Sequence, residues 1–315
     1  MPPQGAAAKC LAWGRLLRLP NLLTVPGDGL AGFLLAAAAL HPDLGDLPRA
    51  AWAGLSAAVA AGLLFYVAGL IQNDLADLKE DRRDRPQRPL PSGAVGTRAA
   101  AAALAAALLA ALVAAALASP AALGVGTALA AAITTYNLRA KRHGFWGPLN
   151  MGSCRGLNLL LGAAALGSHA LAQPAVLLSA AGLTLYVAAV TRIARRETQT
   201  QRLGWARLAP LAILVVWLPL ATAPALASSE PLPLRLAAPH LGLLALLYAA
   251  LVLLPLAGKI EPARTQQAVG KLIRNLIFIQ AALAASALPT GLPLAGLLLA
   301  LFPLQAALAW RFYSS

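Results

Sequence analysis

Five of the chain's eleven acidic residues fall between Asn73 and Pro89: Asp74, Asp77, Glu80, Asp81 and Asp84. At 100° per residue, Asp74, Asp77 and Asp81 lie within an arc of about 60°, so a helix puts three carboxylates on one face. Three anions held that close repel one another unless a cation sits between them. Hard ions such as Mg2+ take carboxylate oxygens together with the oxygens of a substrate phosphate, so the run predicts a clamp for metal and diphosphate. Arg82, Arg83, Arg85 and Arg88 follow at once, and their guanidinium forks match phosphate oxygens. A charged run between apolar stretches is ordinarily a solvated loop. Here the carboxylates keep helical spacing, and Arg85-Pro86-Gln87-Arg88-Pro89 stiffens the backbone beside them.

The elements that must position this run are apolar. Of 315 residues, 59% are hydrophobic and 11% charged, with a mean hydropathy of +0.71, whereas soluble domains carry about 25% charged residues. The composition predicts an all-α, polytopic transmembrane bundle of nine to ten helices, with residues 1–315 forming a single membrane domain. Ten apolar segments stand out, at roughly 21–40, 51–73, 98–118, 121–137, 147–167, 173–194, 206–225, 236–257, 267–288 and 291–311. With the N-terminus inside, 22 of the 25 basic residues fall in inside loops, which places the acidic run on the cytoplasmic side of an inner membrane. That same asymmetry accounts for the net charge of +14, so nucleic acid is not expected as a partner. Cys10 and Cys154 are too far apart in sequence to give a ligand spacing or a disulfide framework. The N-terminal segment lacks the cleavage pattern of a removable signal peptide, and the four histidines sit singly near segment ends.

Several polar residues fall within or at the ends of these segments. Asp28 follows Pro26-Gly27 in the first, and it either faces a polar cavity or sits shallow in water. Arg155 and Asn158 share one face of the fifth, where an arginine must pair or reach water; Asp28 or a phosphate would serve as its partner. Tyr136, Asn137 and Lys141 close the fourth, and Tyr136 is either an interfacial anchor or part of a site. The sixth ends in Thr191, Arg192, Arg195, Arg196, Glu197 and Thr198, with Thr191, Arg195 and Thr198 on one helical side. On the ninth, Lys271 and Arg274 are expected to snorkel to the cytoplasmic face.

The pattern Asn73-Asp74-x-x-Asp77-x-x-x-Asp81, followed by Arg85-Pro86-Gln87-Arg88-Pro89-Leu90, resembles the first aspartate-rich motif of the UbiA family of intramembrane prenyltransferases. The resemblance implies a bundle of about nine helices around a lipid-facing cavity, in which Mg2+ ions hold a prenyl diphosphate for attack by an aromatic or other small acceptor. It implies Asp74, Asp77 and Asp81 as metal ligands and Asn73, Arg85, Arg88 and Lys141 as diphosphate contacts; Arg192 and Arg195 join these contacts only where the second side of the site departs from the family. Asp28, Tyr136, Arg155, Asn158 and Glu197 become candidates for the pocket.

The second side departs from the family pattern. Where UbiA members carry another aspartate-rich motif, Thr191 to Glu197 holds one acid and three arginines, similar to a UbiA-like subgroup called the EboC type. That departure leaves three readings open: a second Mg2+ replaced by positive charge from Arg192 or Arg195, a different leaving group, or a non-catalytic polyprenyl-lipid binding or transport protein on the same scaffold. Ten segments instead of nine imply an extra C-terminal helix or a re-entrant ninth segment. An ion-coupled transporter would use Asp28 and Arg155, but the sequence displays no paired broken helices or inverted repeat. The Asp-Gly-x-x-Ala-Arg signature of CDP-alcohol phosphotransferases is absent.

Overall fold

The computed structural model describes residues 5–41 and 44–313, and among these there are helices and connecting turns but no sheet. A peripheral helix α1 (Ala6–Leu16) leads into α2 (Pro26–Leu40). Next come α3 (Arg49–Ala76), the short α4 (Leu78–Asp84), α5 (Thr97–Ala118) and α6 (Pro120–Leu138). The second half holds α7 (Trp146–Ala164), α8 (Pro174–Ala194), α9 (Ala209–Leu226) and α10 (Leu232–Leu253). It closes with α11 (Pro262–Arg274), α12 (Leu276–Ala285) and α13 (Gly291–Tyr313). The side chain of Arg311, counted above as an inside cation, lies outside the described residues.

Nine helices among the described residues are long and apolar enough to cross a membrane, and the chain is an integral, multi-pass membrane protein. Helix α7 is a tenth, 19 residues long, whose Asn150, Ser153, Arg155 and Asn158 lower its hydropathy. It packs against α2, α6 and α8, which hides that polar face from lipid. Pro262–Ala285, the ninth segment, has 24 residues, enough to cross a core of about 30 Å instead of turning back. Helix α3 has 28 residues and spans about 42 Å, so its end projects beyond that core. Asn73 and Asp74 ride on the projecting end.

Two spans are broken, the first beside Pro26, whose ring and neighbouring glycines could bend it, and the ninth where neither proline nor glycine stands. The first segment divides between Leu19–Leu22 and Pro26–Leu40 because Pro26 has no N–H to continue the ladder. The ninth divides at Asn275. Irregular backbone at membrane depth persists only where neighbours satisfy it, and they do so here. The Leu272 carbonyl accepts from the buried Tyr186 hydroxyl at 2.9 Å, and Asn275 donates to the Ala245 carbonyl at 3.1 Å.

Close helix contacts fix the central pair α2 and α7. A Cβ at Gly162 would overlap the Gly29 carbonyl, and one at Gly32 would overlap the Leu159 carbonyl, so small residues allow the two backbones to touch. Ser119 then sets the start of α6: its Oγ accepts from Ala122 N at 2.9 Å and donates to the Ala164 carbonyl of α7 at 2.6 Å. Gly162→Ala is expected to cost about 1–3 kcal/mol through overpacking, measured as equilibrium unfolding in mixed micelles. Gly124→Ala, on α6 with nothing within 4 Å of the new methyl, is the control, and equal stability of the two variants would refute the close crossing.

Candidate functional site

The acidic run lies at the end of α3, and the helix does not continue unbroken through it. Asp77 leaves helical geometry at φ −91°, ψ 0°, so the single helical face expected for Asp74, Asp77 and Asp81 is bent at its middle member. The ladder is nearly kept, with Asp77 N bonded to the Asn73 carbonyl at 3.0 Å and Asp81 N to the Asp77 carbonyl at 2.8 Å. Asp74 and Asp81 are buried at 6% and 4% exposure, which is costly for carboxylates unless they are paired.

Each of the three has a cation from a different element. Arg18, ahead of the first span, reaches Asp74 at 3.4 Å; Arg88, in the loop after α4, holds Asp81 at 2.7 Å; Lys141, in the turn after α6, contacts Asp77 directly. Asn73 adds a bond to Asp74 at 3.3 Å. Arg83 instead pairs with the exposed Asp84, so this part of the arginine run faces away from the cluster. The approach of Lys141 is set one turn back. Asn137 is buried on α6 and donates to the Gly69 carbonyl and to Gln72 of α3, both at 3.1 Å.

The loop after α8 closes over the same place. Helix α8 stops at Ala194, so Thr198 does not share a helical side with Thr191 and Arg195. Arg195 is carried across to the turn holding Lys141, its Nη1 3.1 Å from where a Cβ on Gly144 would stand. Glu197 lies in the electrostatic range of Arg85, Arg18 and Arg88, yet burial pushes its carboxyl above the ordinary 4.5 against their pull. Tyr136, half-buried near the end of α6, lies within electrostatic range of Cys154, Arg18, Asp77 and Arg195. Arg192 is exposed and has no bond that ties it to the group.

A raised carboxyl binds protons more tightly in the folded state than in the unfolded one, so it lowers stability as pH climbs from about 4.5 through the raised value. Glu197→Gln removes that dependence. Relative to this variant, the parent is expected to lose thermal stability between pH 4.5 and neutrality, and parallel melting curves across the range would count against a buried Glu197.

Asp28, Arg155 and Asn158 also come together as a closed clasp, in which Asp28 is the one of the two expected partners that Arg155 meets. Arg155 Nε lies 3.0 Å from Asp28 Oδ2, and Asn158 donates to the same oxygen at 3.1 Å. Gln280 of α12 completes the group, donating to Asp28 Oδ1 at 2.6 Å and to the Thr24 carbonyl at 2.7 Å. The break before Pro26 frees the Thr24 carbonyl, and Arg155 also takes it at 2.8 Å. Arg274 does not extend to the surface as expected, because its guanidinium stacks over Phe302 at 5.8 Å.

Arg18, Tyr66 and Gln280 were missed as site residues. Arg18 registered in sequence only as one more inside cation. It adopts φ 45°, ψ 53°, a left-handed conformation that no local motif announces. Tyr66, on an apolar stretch of α3, lies in range of Arg155, Arg18 and Asp28, between the clasp and the acidic cluster.

The donor chemistry fits a divalent ion that is shared with a ligand. Among the described residues no three His, Cys, Asp or Glu side chains stand close enough to hold an ion by themselves. Mg2+ commonly takes one or two carboxylates and completes its shell with water and substrate phosphate.

The sequence model of the UbiA prenyltransferase family matches residues 29–269. A digeranylgeranylglyceryl phosphate synthase of Methanoregula boonei is 32% identical over 149 residues, 47% of this chain and 52% of the relative. The matched stretch thus spans about half of that relative's length. A protein of the same name from Methanoculleus marisnigri is 27% identical over 64% of this chain and 68% of its own. Among solved structures, a UbiA homolog from Aeropyrum pernix superposes with a TM-score of 0.60 at 23% identity, covering 83% of this chain and 96% of that one. A UbiA homolog from Archaeoglobus fulgidus, bound to DMAPP and Mg2+, gives 0.55 at 14% identity over 84% and 97%; these likenesses concern the fold.

Proposed function

The chain belongs to the UbiA prenyltransferase family, and from that premise we propose that it transfers an isoprenoid chain from a prenyl diphosphate to a small acceptor, within the membrane and with Mg2+. The observation that carries this reading is the convergence of Asp74, Asp77 and Asp81 with Arg18, Arg88 and Lys141 at one end of an apolar bundle. Mg2+, when bound, would draw off the charge that develops on the leaving diphosphate. The three aspartates and Asn73 would hold the ion and the diphosphate. Arg88 and Lys141, which pair with Asp81 and Asp77, would offer their donors to the phosphate oxygens. Arg85, from the same loop as Arg88, and Arg195, from the loop after α8, close the mouth, while Tyr136 and Glu197 line it. The apolar helices house the prenyl chain and keep water from its reactive C1. The bond broken joins C1 to the diphosphate oxygen, and the bond formed joins C1 to the acceptor, which gives up a proton.

The names of the relatives favour a glycerol phosphate as acceptor, and the cation-rich mouth suits such an anion. The inward-outward bias of the basic residues supports an inner-membrane protein with this mouth in the cytoplasm. The test is calorimetric titration of geranylgeranyl diphosphate into detergent-purified protein, with and without Mg2+, followed by a screen of acceptors. Binding that requires Mg2+ and turnover of a glycerol phosphate acceptor is expected. A second reading, a non-catalytic prenyl-lipid carrier, draws on the three arginines that face a single acid after α8. Metal-independent binding without turnover of any acceptor would favour it.

A further inference from the structure

A cavity of about 130 Å3 lies between the end of α10 and the start of α11, far along the chain from the acidic run. Its walls differ in kind. Leu251, Val252, Pro255 and Leu256 form one side, and Arg264 with Lys271 forms the other, with Gln267 between them. Leu251 is 75% exposed and Leu254, just beside the rim, 56%, so in a membrane the apolar side opens directly to acyl chains. Arg264 and Lys271 are seven residues apart, two turns on one face of α11 and about 10.5 Å along its axis, within joint reach of two long side chains. Both are exposed, and neither enters an ion pair among the described residues, unlike Arg18, Arg88 and Lys141. Arg274, the third cation of this helix, is turned inward over Phe302.

We propose that this cavity binds the phosphate headgroup of an anionic phospholipid, with one acyl chain lying along Leu251 and Leu254. Unpaired cations above an apolar wall at the end of a span match an amphiphile in charge and in orientation. A soluble anion would leave the apolar wall unused, and a zwitterionic lipid would set its own cation against Arg264 and Lys271. The site lies at the same end of the bundle as the acidic cluster. The Gln201 and Ile260 backbones join the loop after α8 to the loop before α11 by two hydrogen bonds, of 3.1 and 2.9 Å.

The test is native mass spectrometry of the full-length protein exchanged into detergent with equal phosphatidylglycerol and phosphatidylcholine. Preferential retention of phosphatidylglycerol is expected. The double variant Arg264→Gln/Lys271→Gln is expected to weaken it roughly 30-fold, the combined contribution of two interfacial cations. The variant should leave phosphatidylcholine retention, thermal stability and prenyl diphosphate binding as in the parent, and Arg264→Lys/Lys271→Arg should restore the preference. Equal retention of the two lipids by the parent, or unchanged phosphatidylglycerol affinity in the double variant, overturns the proposal. So does displacement of the lipid by millimolar inorganic phosphate, which would make the cavity a free-anion site.

Discussion

Asp77→Asn is expected to lower prenyl transfer by about 1,000-fold, the several kcal/mol that a lost metal ligand removes from transition-state stabilisation. Binding of prenyl diphosphate should at the same time lose its dependence on Mg2+. The amide keeps the size and one oxygen of the carboxylate but not its charge, and Lys141 is left without its anion. Asp77 sits where the helix bends and is only half-buried, so the fold should survive the change. Asp84→Asn separates local charge from site chemistry. Asp84 belongs to the same acidic run but pairs outward with exposed Arg83, and its variant should retain near-parental turnover. If Asp74→Asn and Asp77→Asn both turn over at the parental rate, the clamp is wrong. If Asp84→Asn falls as far as Asp77→Asn, the whole run acts through its field and not through defined ligands.

That contrast marks what was legible in the sequence. Carboxylates at i, i+3 and i+7 on the end of an apolar stretch can be read directly, because helical periodicity converts spacing into position. Their cations cannot, because Arg18 and Lys141 arrive from elements dozens of residues away and only packing decides which cation meets which acid. Lys141 was within reach of sequence reasoning as the base after Tyr136. Arg18 was not, since its role depends on a left-handed backbone and on the direction in which α1 leaves the bundle. The break before Pro26 had a visible cause, whereas the break at Asn275 has neither proline nor glycine beside it and rests on Tyr186 and Ala245 from other helices. The overextension of α8 to Thr198 has the same origin. No stop residue follows Ala194, so the periodic pattern ran past the true end.

Arg155→Leu is expected to destabilise the protein by about 3–5 kcal/mol, the usual result of leaving a buried charge without its partner. Asp28 is fully buried, and Asn158 and Gln280 would still donate to it, but amide dipoles do not replace a guanidinium. The freed Thr24 carbonyl would keep Gln280 alone. Asp28→Leu should cost as much, for Arg155 would then be the stranded charge. The double variant Asp28→Leu/Arg155→Leu is expected to recover most of the loss, ending within about 1–2 kcal/mol of the parent, because removing both charges leaves only unmade hydrogen bonds. Unfolding in mixed micelles measures all four states of this cycle. Function completes the argument: as a clasp that holds α2, α7 and α12 together, the pair is dispensable for affinity once stability is restored. The double variant should therefore bind prenyl diphosphate like the parent. Recovered stability with lost binding would mean that Asp28 and Arg155 serve the substrate directly, and that the clasp opens when the site is filled.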